Sequence, residues 1–585
     1  MKFYLLIFLA VMLAGRAPAM VSLSTTSRGV TMSNGTVSAK FDADGRLRRF
    51  EVADTGDLLG HGGEGYFDMT PADKEKGIST SGARYSEIRN APELAEIAFT
   101  KRMTNSEIEV HYVMRAGEAG LYVFAVHRHA AGMEPIDVAQ KRYVLRVDPK
   151  IFTYAVAARD RHGPMPAPAV LAKSEMVQDA AFRQAGGAVY TKYDWAEFRD
   201  GHWGHGLCST NTGLWMIFGS TEYFMGGPTK QELTVHQTDS TPVELAMFTG
   251  EHFLGKPSIQ HIEGDWAMLY GPVFIYANKA DSPQKMFTDA SVLARKMARS
   301  WPYSWMNHPL YPLSRGDVTG RLNITDGTSV SNATVILAAA EPDWQLQWKS
   351  PVYSTYTDVN GYFKLPAVAA GTYTLYSFVP GVLDEFRRDR IEVKAGADTD
   401  TGALTWMPQT NGKMLWQIGT PDRTAGEFKH GGEPRRYGML ASYPKEFPGG
   451  VNFVIGKSRE RDDWNFAQPI VVRKPTDTPV SMWNIRFACT NAMKGTATLS
   501  VAVAGCDAMP TLDVLVNDSS VGKVRLSDDG CLRRSATLAG RYELHKFQFD
   551  AAKIRSGENL ISLQLSNRGP WGAVMYDCIR LEVAE

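Results

Sequence analysis

The sequence predicts a mainly β protein built of successive sandwiches, and three observations carry that prediction. Short runs alternate apolar and polar residues from end to end, as in GTVSAKFDADGRLRRFEV, SEIEVHYVMRAGEAGLYVFAVHR and GYFKLPAVAAGTYTLYSFV. Such alternation puts every second side chain on one face of a strand. Gly, Asn, Asp and Pro separate the runs, as antiparallel strands and their turns require. Helical periodicity is scarce, and 585 residues are enough for three or four domains.

The elements follow in order. Residues 1–19 read as a signal peptide: Lys2 is the positive start, Phe3–Leu13 the apolar core, and Ala17-Pro18-Ala19 the small-residue cleavage signal. Cleavage near Ala19 and export, to the periplasm or beyond the cell, are expected. Residues 20–308 form a large β-rich unit that closes with a helix over Pro283–Ser300. Asp281-Ser282-Pro283 starts that helix, with Ser282 as cap and Pro283 at its first position, and Trp301-Pro302 stops it. Its apolar positions are Met286, Phe287, Ala290, Val292, Leu293, Met297 and Ala298. Residues 313–404, opening with GDVTGRLNITDGTSVSNATVILA, have the size and turn spacing of an immunoglobulin-like sandwich. Residues 410–585 alternate again and end in two strands joined by a loop, ENLISLQLSNRGPWGAVMYDCIRLEV, which fits a jelly roll.

Composition sets limits. The chain is 44% hydrophobic and 22% charged, with 63 basic and 63 acidic residues. A global basic field for nucleic acid or an anionic membrane is therefore missing, and neither is an expected partner. An acidic ligand has to be met by local cations. Five cysteines, Cys208, Cys489, Cys506, Cys531 and Cys578, are too few for a disulfide framework and lack zinc spacing. A Cys506–Cys531 bridge stays open at this point.

The richest stretch is Tyr190–Leu233, YTKYDWAEFRDGHWGHGLCSTNTGLWMIFGSTEYFMGGPTKQEL. Lys192 sits among Tyr190, Tyr193 and Trp195, and burial among rings disfavours the charged form of an amine, which suits a base. Set against this, lysines beside rings commonly lay only their methylenes on them. His202 and His205 follow, in surroundings that read as strand and loop, without carboxylates to complete a metal site. Gly226-Gly227-Pro228 is a turn. Trp464, Trp571 and Tyr576 are either core or sugar platforms.

The order of the three segments and the motifs YTKYDWAEFRDGHWGHG, STEYFMGGPTKQEL, FTGEHF, TDVNGYFKLPAVAAGTYTL, LWQIGTPDRTAGEF and WGAVMYDCIRLEV resemble polysaccharide lyase family 4, the rhamnogalacturonan (rhamnogalacturonate) lyases. The resemblance covers almost the whole mature chain. It implies a catalytic β-super-sandwich like that of galactose mutarotases, then a fibronectin type III-like domain, then a carbohydrate-binding-like jelly roll. It implies a rhamnogalacturonan endolyase that cuts the rhamnose-α-1,4-galacturonic acid bond of rhamnogalacturonan I by β-elimination, without a cofactor in catalysis. Pectin is the implied partner, and the chain is expected to be a monomer. Structural calcium in the sandwiches stays open.

β-Elimination takes the proton from C5 beside a carboxylate, so it needs a cation on that carboxylate, a base, and a donor to the leaving O4. On the resemblance, Lys192 is the base and His252, in FTGEHF, the donor. Arg142 and Arg146, in AQKRYVLRVDPKIF, bind the acidic sugar. Four residues apart on a strand they share a face, and the guanidinium fork matches a carboxylate. Tyr190, Tyr193 and His205 are further candidate substrate contacts. One departure is visible: where some family members carry tyrosines shortly before the histidine, this chain has Leu245 and Met247. Two other readings remain in play, a pectin-binding protein without turnover and a hydrolase or epimerase on the same scaffold. A hydrolase needs a pair of carboxylates at set separation, and nothing pairs Asp194, Glu197 and Glu222.

Overall fold

The computed structural model describes residues 20–74, 77–340, 343–433, 436–439, 443–471, 480–534 and 538–584. The signal-peptide reading of residues 1–19 falls outside them. The chain is mainly β, in three sandwiches that follow one another along the sequence.

In the first, an eleven-stranded sheet faces a nine-stranded sheet. Alternation works as the sequence suggests. Met32, Phe41, Phe50, Phe67, Tyr112 and Tyr143 all turn inward and are essentially inaccessible. Each such side chain contributes roughly 1.5–3 kcal/mol by leaving water. The helix Pro283–Arg299 lies on the outer face of the nine-stranded sheet, burying Met286, Ala290, Ala294 and Met297 in a cluster with Trp215 and Phe274. Ser282 Oγ accepts from Lys285 N at 3.4 Å, as a cap should. Val292, read as apolar-face from its spacing, is 54% exposed, and Ala294 takes the inward place instead.

The second sandwich packs a three-stranded sheet on a four-stranded one. Its first and last strands, Gly316–Ile324 and Thr399–Trp406, run parallel side by side. The third packs two five-stranded sheets, and its last two strands are Gly557–Ser566 and Trp571–Ala584. Trp464 and Tyr576 are fully buried there, so they are core and not sugar platforms; Trp571 is half-buried. All five cysteines are free thiols, Cys506 and Cys531 included. Among the described residues no helix is long and apolar enough to cross a membrane.

The sandwiches are joined by specific contacts. Arg315 pairs with Glu222 at 2.8 Å between the first and second, and Trp301 Nε1 donates to the same carboxylate at 3.0 Å. Between the second and third, Arg423 lies 3.9 Å from the Phe378 ring centre and 4.5 Å from that of Tyr542, and reaches Glu385 at 2.6 Å. The first and third share one apolar cluster, which takes in Val144, Tyr193, Leu245, Met247 and Phe253 from the first. Their backbones nearly touch. A Cβ on Gly255 would fall 1.7 Å from the Asp528 carbonyl oxygen, and its φ of +71° favours glycine as well.

Candidate active site

The strand Ile136–Arg146 supplies the arginines. It lies in the eleven-stranded sheet between Glu64–Pro71 and Pro242–Thr249. Lys141, Tyr143 and Leu145 point to the interior, and Arg142, Val144 and Arg146 occupy the opposite face. The two arginines are not equivalent. Arg142 is already gripped by Asp68, with Nε 2.9 Å from Oδ1 and Nη2 3.2 Å from Oδ2. Burial would lower its pKa, but Asp68 reverses that and raises it. Arg146 has no carboxylate within ion-pair distance among the described residues, so its fork is the one left for a ligand.

Lys192 is set by a three-stranded sheet of short strands, Glu175–Gln178, Ala181–Arg183 and Val189–Thr191. The last leads into a single 3₁₀ turn, Lys192–Trp195, capped by Thr191, whose hydroxyl accepts from Tyr193 N at 3.3 Å. Tyr190 rivets the turn: its hydroxyl accepts from Trp195 Nε1 at 3.1 Å and from Gln237 N at 2.7 Å. That hydroxyl is used internally and its ring belongs to the core, so Tyr190 supports the site and is not a sugar contact. Lys192 Nζ lies 5.2 Å from the Tyr193 ring centre and 2.5 Å from Asp179 Oδ2, a mostly exposed carboxylate.

His252 follows the strand Pro242–Thr249. Its Nδ1 is 3.0 Å from Glu232 Oε1, at ion-pair distance but off the hydrogen-bond direction. Glu232 is wholly buried, and its other oxygen is 2.8 Å from Lys230 Nζ, which also donates to Gly250 O at 2.8 Å. Burial pushes His252 down to about 4 in spite of Glu232, so the imidazole is neutral near pH 7. Its ring meets Tyr193 edge-on at 6.2 Å. Tyr193, itself buried, is thus a shared neighbour of Lys192 and His252. Burial would raise the Asp179 carboxyl, but Lys192, with His252 and His236 beyond it, holds it below its ordinary range.

Lys192, His252, Arg142 and Arg146 therefore converge on one region, and three residues outside the sequence reading join them. His236 is buried there, with Nδ1 unpartnered, and burial and then the Lys192 charge push it down to about 3. Arg199 is buried beneath, its guanidinium 4.0 Å from the Phe224 ring centre, and burial lowers it to about 10. Arg534 comes from the third sandwich. Its positive charge acts on His252, and its Nε and Nη1 are buried without a hydrogen-bond partner. A lone His in LTVHQ and an Arg nearly three hundred positions away carry no local signal. Glu232, by contrast, lies inside the quoted motif GGPTKQEL.

His205 does not reach this region's surface. It is fully buried on the internal strand Gly204–Cys208, stacked on His202 with its Nδ1 3.0 Å from His202 Nε2. The expected sugar contact is corrected to a core role. Leu245 and Met247, in the places of the expected tyrosines, are buried in the cluster shared with the third sandwich. Among the described residues no three His, Cys, Asp or Glu side chains are grouped to hold a metal ion.

Comparison with known proteins gives matches to three stretches of the chain. Residues 10–190 match the rhamnogalacturonate lyase family, 326–401 match polysaccharide lyase family 4, domain II, and 414–581 match polysaccharide lyase family 4, domain III. A rhamnogalacturonate lyase of Dickeya dadantii (strain 3937) is 29% identical over 97% of this chain and 95% of its own length. Rhamnogalacturonate lyase B of Emericella nidulans is 26% identical over 87% of this chain and 86% of its own. Among solved structures, an alpha-mannosidase from Enterococcus faecalis V583 overlaps 47% of this chain and 32% of its own, with 12% identity and a TM-score of 0.29.

Proposed function

Because the chain belongs to the rhamnogalacturonate lyase family, polysaccharide lyase family 4, we propose that it cleaves the rhamnose-α-1,4-galacturonic acid bond of rhamnogalacturonan I by β-elimination. It is a polysaccharide lyase of rhamnogalacturonan; bond, residues and mode of action are our reading. One observation supports it above the rest. Lys192 and His252 both neighbour the Tyr193 ring, at 5.2 and 6.2 Å, in a region that also holds Arg146, whose fork no carboxylate among the described residues pairs.

The galacturonate carboxylate enters against Arg146, with Arg142 and Arg534 adding positive potential. Charge spreading into that carboxylate as C5 loses its proton is then stabilised where it forms. Lys192 Nζ acts as a free amine: it parts from Asp179, gives its ammonium proton to solvent, and then takes the C5 proton on its lone pair. The C5–H electrons form the C4–C5 double bond, the C4–O4 bond breaks, and O4 receives a proton from His252. His252 is neutral in the free protein. The incoming carboxylate raises its proton affinity, since a nearby negative charge favours the cationic form, and the ring takes up from solvent the proton that it passes to O4. Glu232 holds the ring in place. The scheme calls on no cofactor. We further read the protein as exported through its N-terminal 19 residues and as monomeric.

The test is turnover of deacetylated rhamnogalacturonan I by the full chain, followed by the ultraviolet absorbance of the unsaturated uronate. The wild type should give a steady rise. Lys192→Ala should lose about 10²–10⁴-fold, the usual worth of a positioned base, with unchanged melting. Binding without any rise would mean a pectin-binding protein, and saturated products would mean a hydrolase.

A further inference from the structure

A cavity of about 540 Å³ opens at the junction of the first and second sandwiches, between residues 257–266 of one and 343–349 of the other. Its volume is that of small-molecule sites in general. Two half-buried indoles, Trp266 and Trp348, meet there at 76° with centres 5.3 Å apart. They are held fast. Trp266 Nε1 donates to Lys349 O at 3.1 Å, and Lys141 Nζ sits 5.4 Å from the Trp266 ring centre.

Gln347 adds the polar element. It is 2% exposed, its Oε1 accepts from Lys349 N at 2.5 Å, and its Nε2 has no partner. A buried amide donor without an acceptor is rare and unfavourable; this nitrogen is sealed from solvent, and a turn of the side chain into the cavity would pair it with a sugar hydroxyl. Indole faces are electron-rich and suit the C–H face of a pyranose, whose hydrogens carry partial positive charge. The charge on the walls decides the sugar class. Glu263, Asp265 and Asp343 line the cavity against one lysine, Lys349, and His261; the acidic excess disfavours a uronate while its oxygens accept from hydroxyls.

The cavity also shares a face with the active site. His261 on its wall contacts Asp137 at 2.7 Å, and Asp137 lies on the same outward face of the strand as Arg142. A one-residue irregularity after Val138 keeps the two in phase. Five residues of strand put them roughly 15 Å apart. We propose that this cavity is a second glycan site, taking a neutral glycosyl residue that branches from, or lies distal to, the galacturonate held at Lys192. The link to the same polymer rests on the function proposed above; the sugar class rests on the cavity alone.

The experiment is tryptophan-fluorescence titration of the full chain with galactotetraose, arabinotetraose, rhamnose and, for contrast, tetragalacturonate. At least one neutral probe should give a saturable change. Its apparent affinity should fall tenfold or more in Trp348→Ala and in Gln347→Leu, while both variants turn over unbranched polymer at the wild-type rate. Melting curves identify a variant that fails to fold, and Gln347→Leu, the smaller change, then carries the test. The proposal is overturned if no neutral probe saturates, if the affinity is the same in folded variants, or if tetragalacturonate displaces the neutral probe from this site. Failure of the lyase reading is separate: it shows as no unsaturated product and leaves the titration unaffected.

Discussion

The first and third sandwiches bury different mixtures of charge, bases together with acids in the first and mainly acids in the third. Beneath the face that carries Arg146 and Lys192, the first holds bases. Lys141, Lys230 and Arg199 are pushed down by burial, and so are His127, His202, His205, His236 and His252. The third holds acids. Burial pushes Asp529 up to about 7 and Asp507 to about 6, and raises Asp577. These carboxyls tie down loops: Asp529 accepts from Cys506 N, Cys531 N and Arg541 N, and Asp577 from Asp422 N and Arg423 N. Buried polarity is thus spent on a site in one sandwich and on loop geometry in the other. Substitutions should separate the two uses.

The largest effect is expected at Glu232, where support and site coincide. Glu232→Ala leaves the fully buried Lys230 ammonium unpaired. Breaking a buried pair from one side typically costs about 3–5 kcal/mol. It also frees the His252 ring, so turnover should fall beyond what the loss of stability explains. Comparing folded protein by kcat and by thermal unfolding checks both halves. A variant that is destabilised but turns over normally would remove Glu232 from any positioning role.

Acid should come next in size and act on the two sandwiches with opposite sign. His202 and His236 fall to about 3 and His252 to about 4, whereas an unfolded histidine titrates near ~6.5. Between those values the unfolded chain binds the extra protons, so the first sandwich loses stability as pH falls from about 6.5 towards 4. Each net proton is worth about 1.4 kcal/mol per pH unit. Asp194, raised by burial to about 7, and the raised Glu222 and Glu244 offset part of this. In the third sandwich the raised Asp529 and Asp507 act the other way. Their contribution is full at low pH and is lost as pH rises through about 6 to 7. Segment-resolved hydrogen exchange at pH 5 and pH 7 should show the first sandwich loosening at pH 5 while the third tightens. Parallel behaviour would break the comparison.

What the sequence made legible follows the same division. Alternation located the strands, because each sheet has one face in a core, and Ser282-Pro283 fixed the start of the helix Pro283–Arg299. Arg142 and Arg146 were placed on a shared strand face by period alone. The spacing could not tell them apart, since Asp68, which ties up Arg142, lies 74 positions upstream. Tyr190 and His205 were misjudged for a related reason. An aromatic or imidazole ring near a candidate base looks alike whether it lines a cleft or braces it, and only the partners, Gln237 N for one and His202 for the other, decide. Arg534 was out of reach altogether, because docking of the third sandwich brings it to His252.

Within the third sandwich, a smaller effect should separate loop-holding acids by position. Asp577→Ala orphans two amides, those of Asp422 and Arg423; at about 1–3 kcal/mol per unsatisfied group it should lower stability by roughly 2–6 kcal/mol and leave kcat of the folded protein unchanged. Asp529→Ala orphans three amides, Cys531 N and Arg541 N in the segment that carries Arg534 and abuts Gly255, and Cys506 N on the neighbouring strand. It should cost stability and raise KM as well. Urea unfolding with steady-state kinetics on both variants reads the contrast. Equal KM values would mean that the third sandwich does not shape the cleft.

The smallest effect tests where support ends inside the first sandwich. Tyr190→Phe keeps the ring in the core and removes only the hydroxyl that accepts from Trp195 Nε1 and Gln237 N. Two buried donors lose their acceptor, which should lower stability by about 2 kcal/mol. The turn Lys192–Trp195 keeps its Thr191 cap and its packing, so kcat and KM should stay within about twofold, less than the ~1.4 kcal/mol that a tenfold change represents. A tenfold or larger fall in kcat/KM in well-folded protein would return Tyr190 to the substrate-binding surface. The line between the bases that brace the site and the groups that touch the sugar would then have to be redrawn one residue layer deeper.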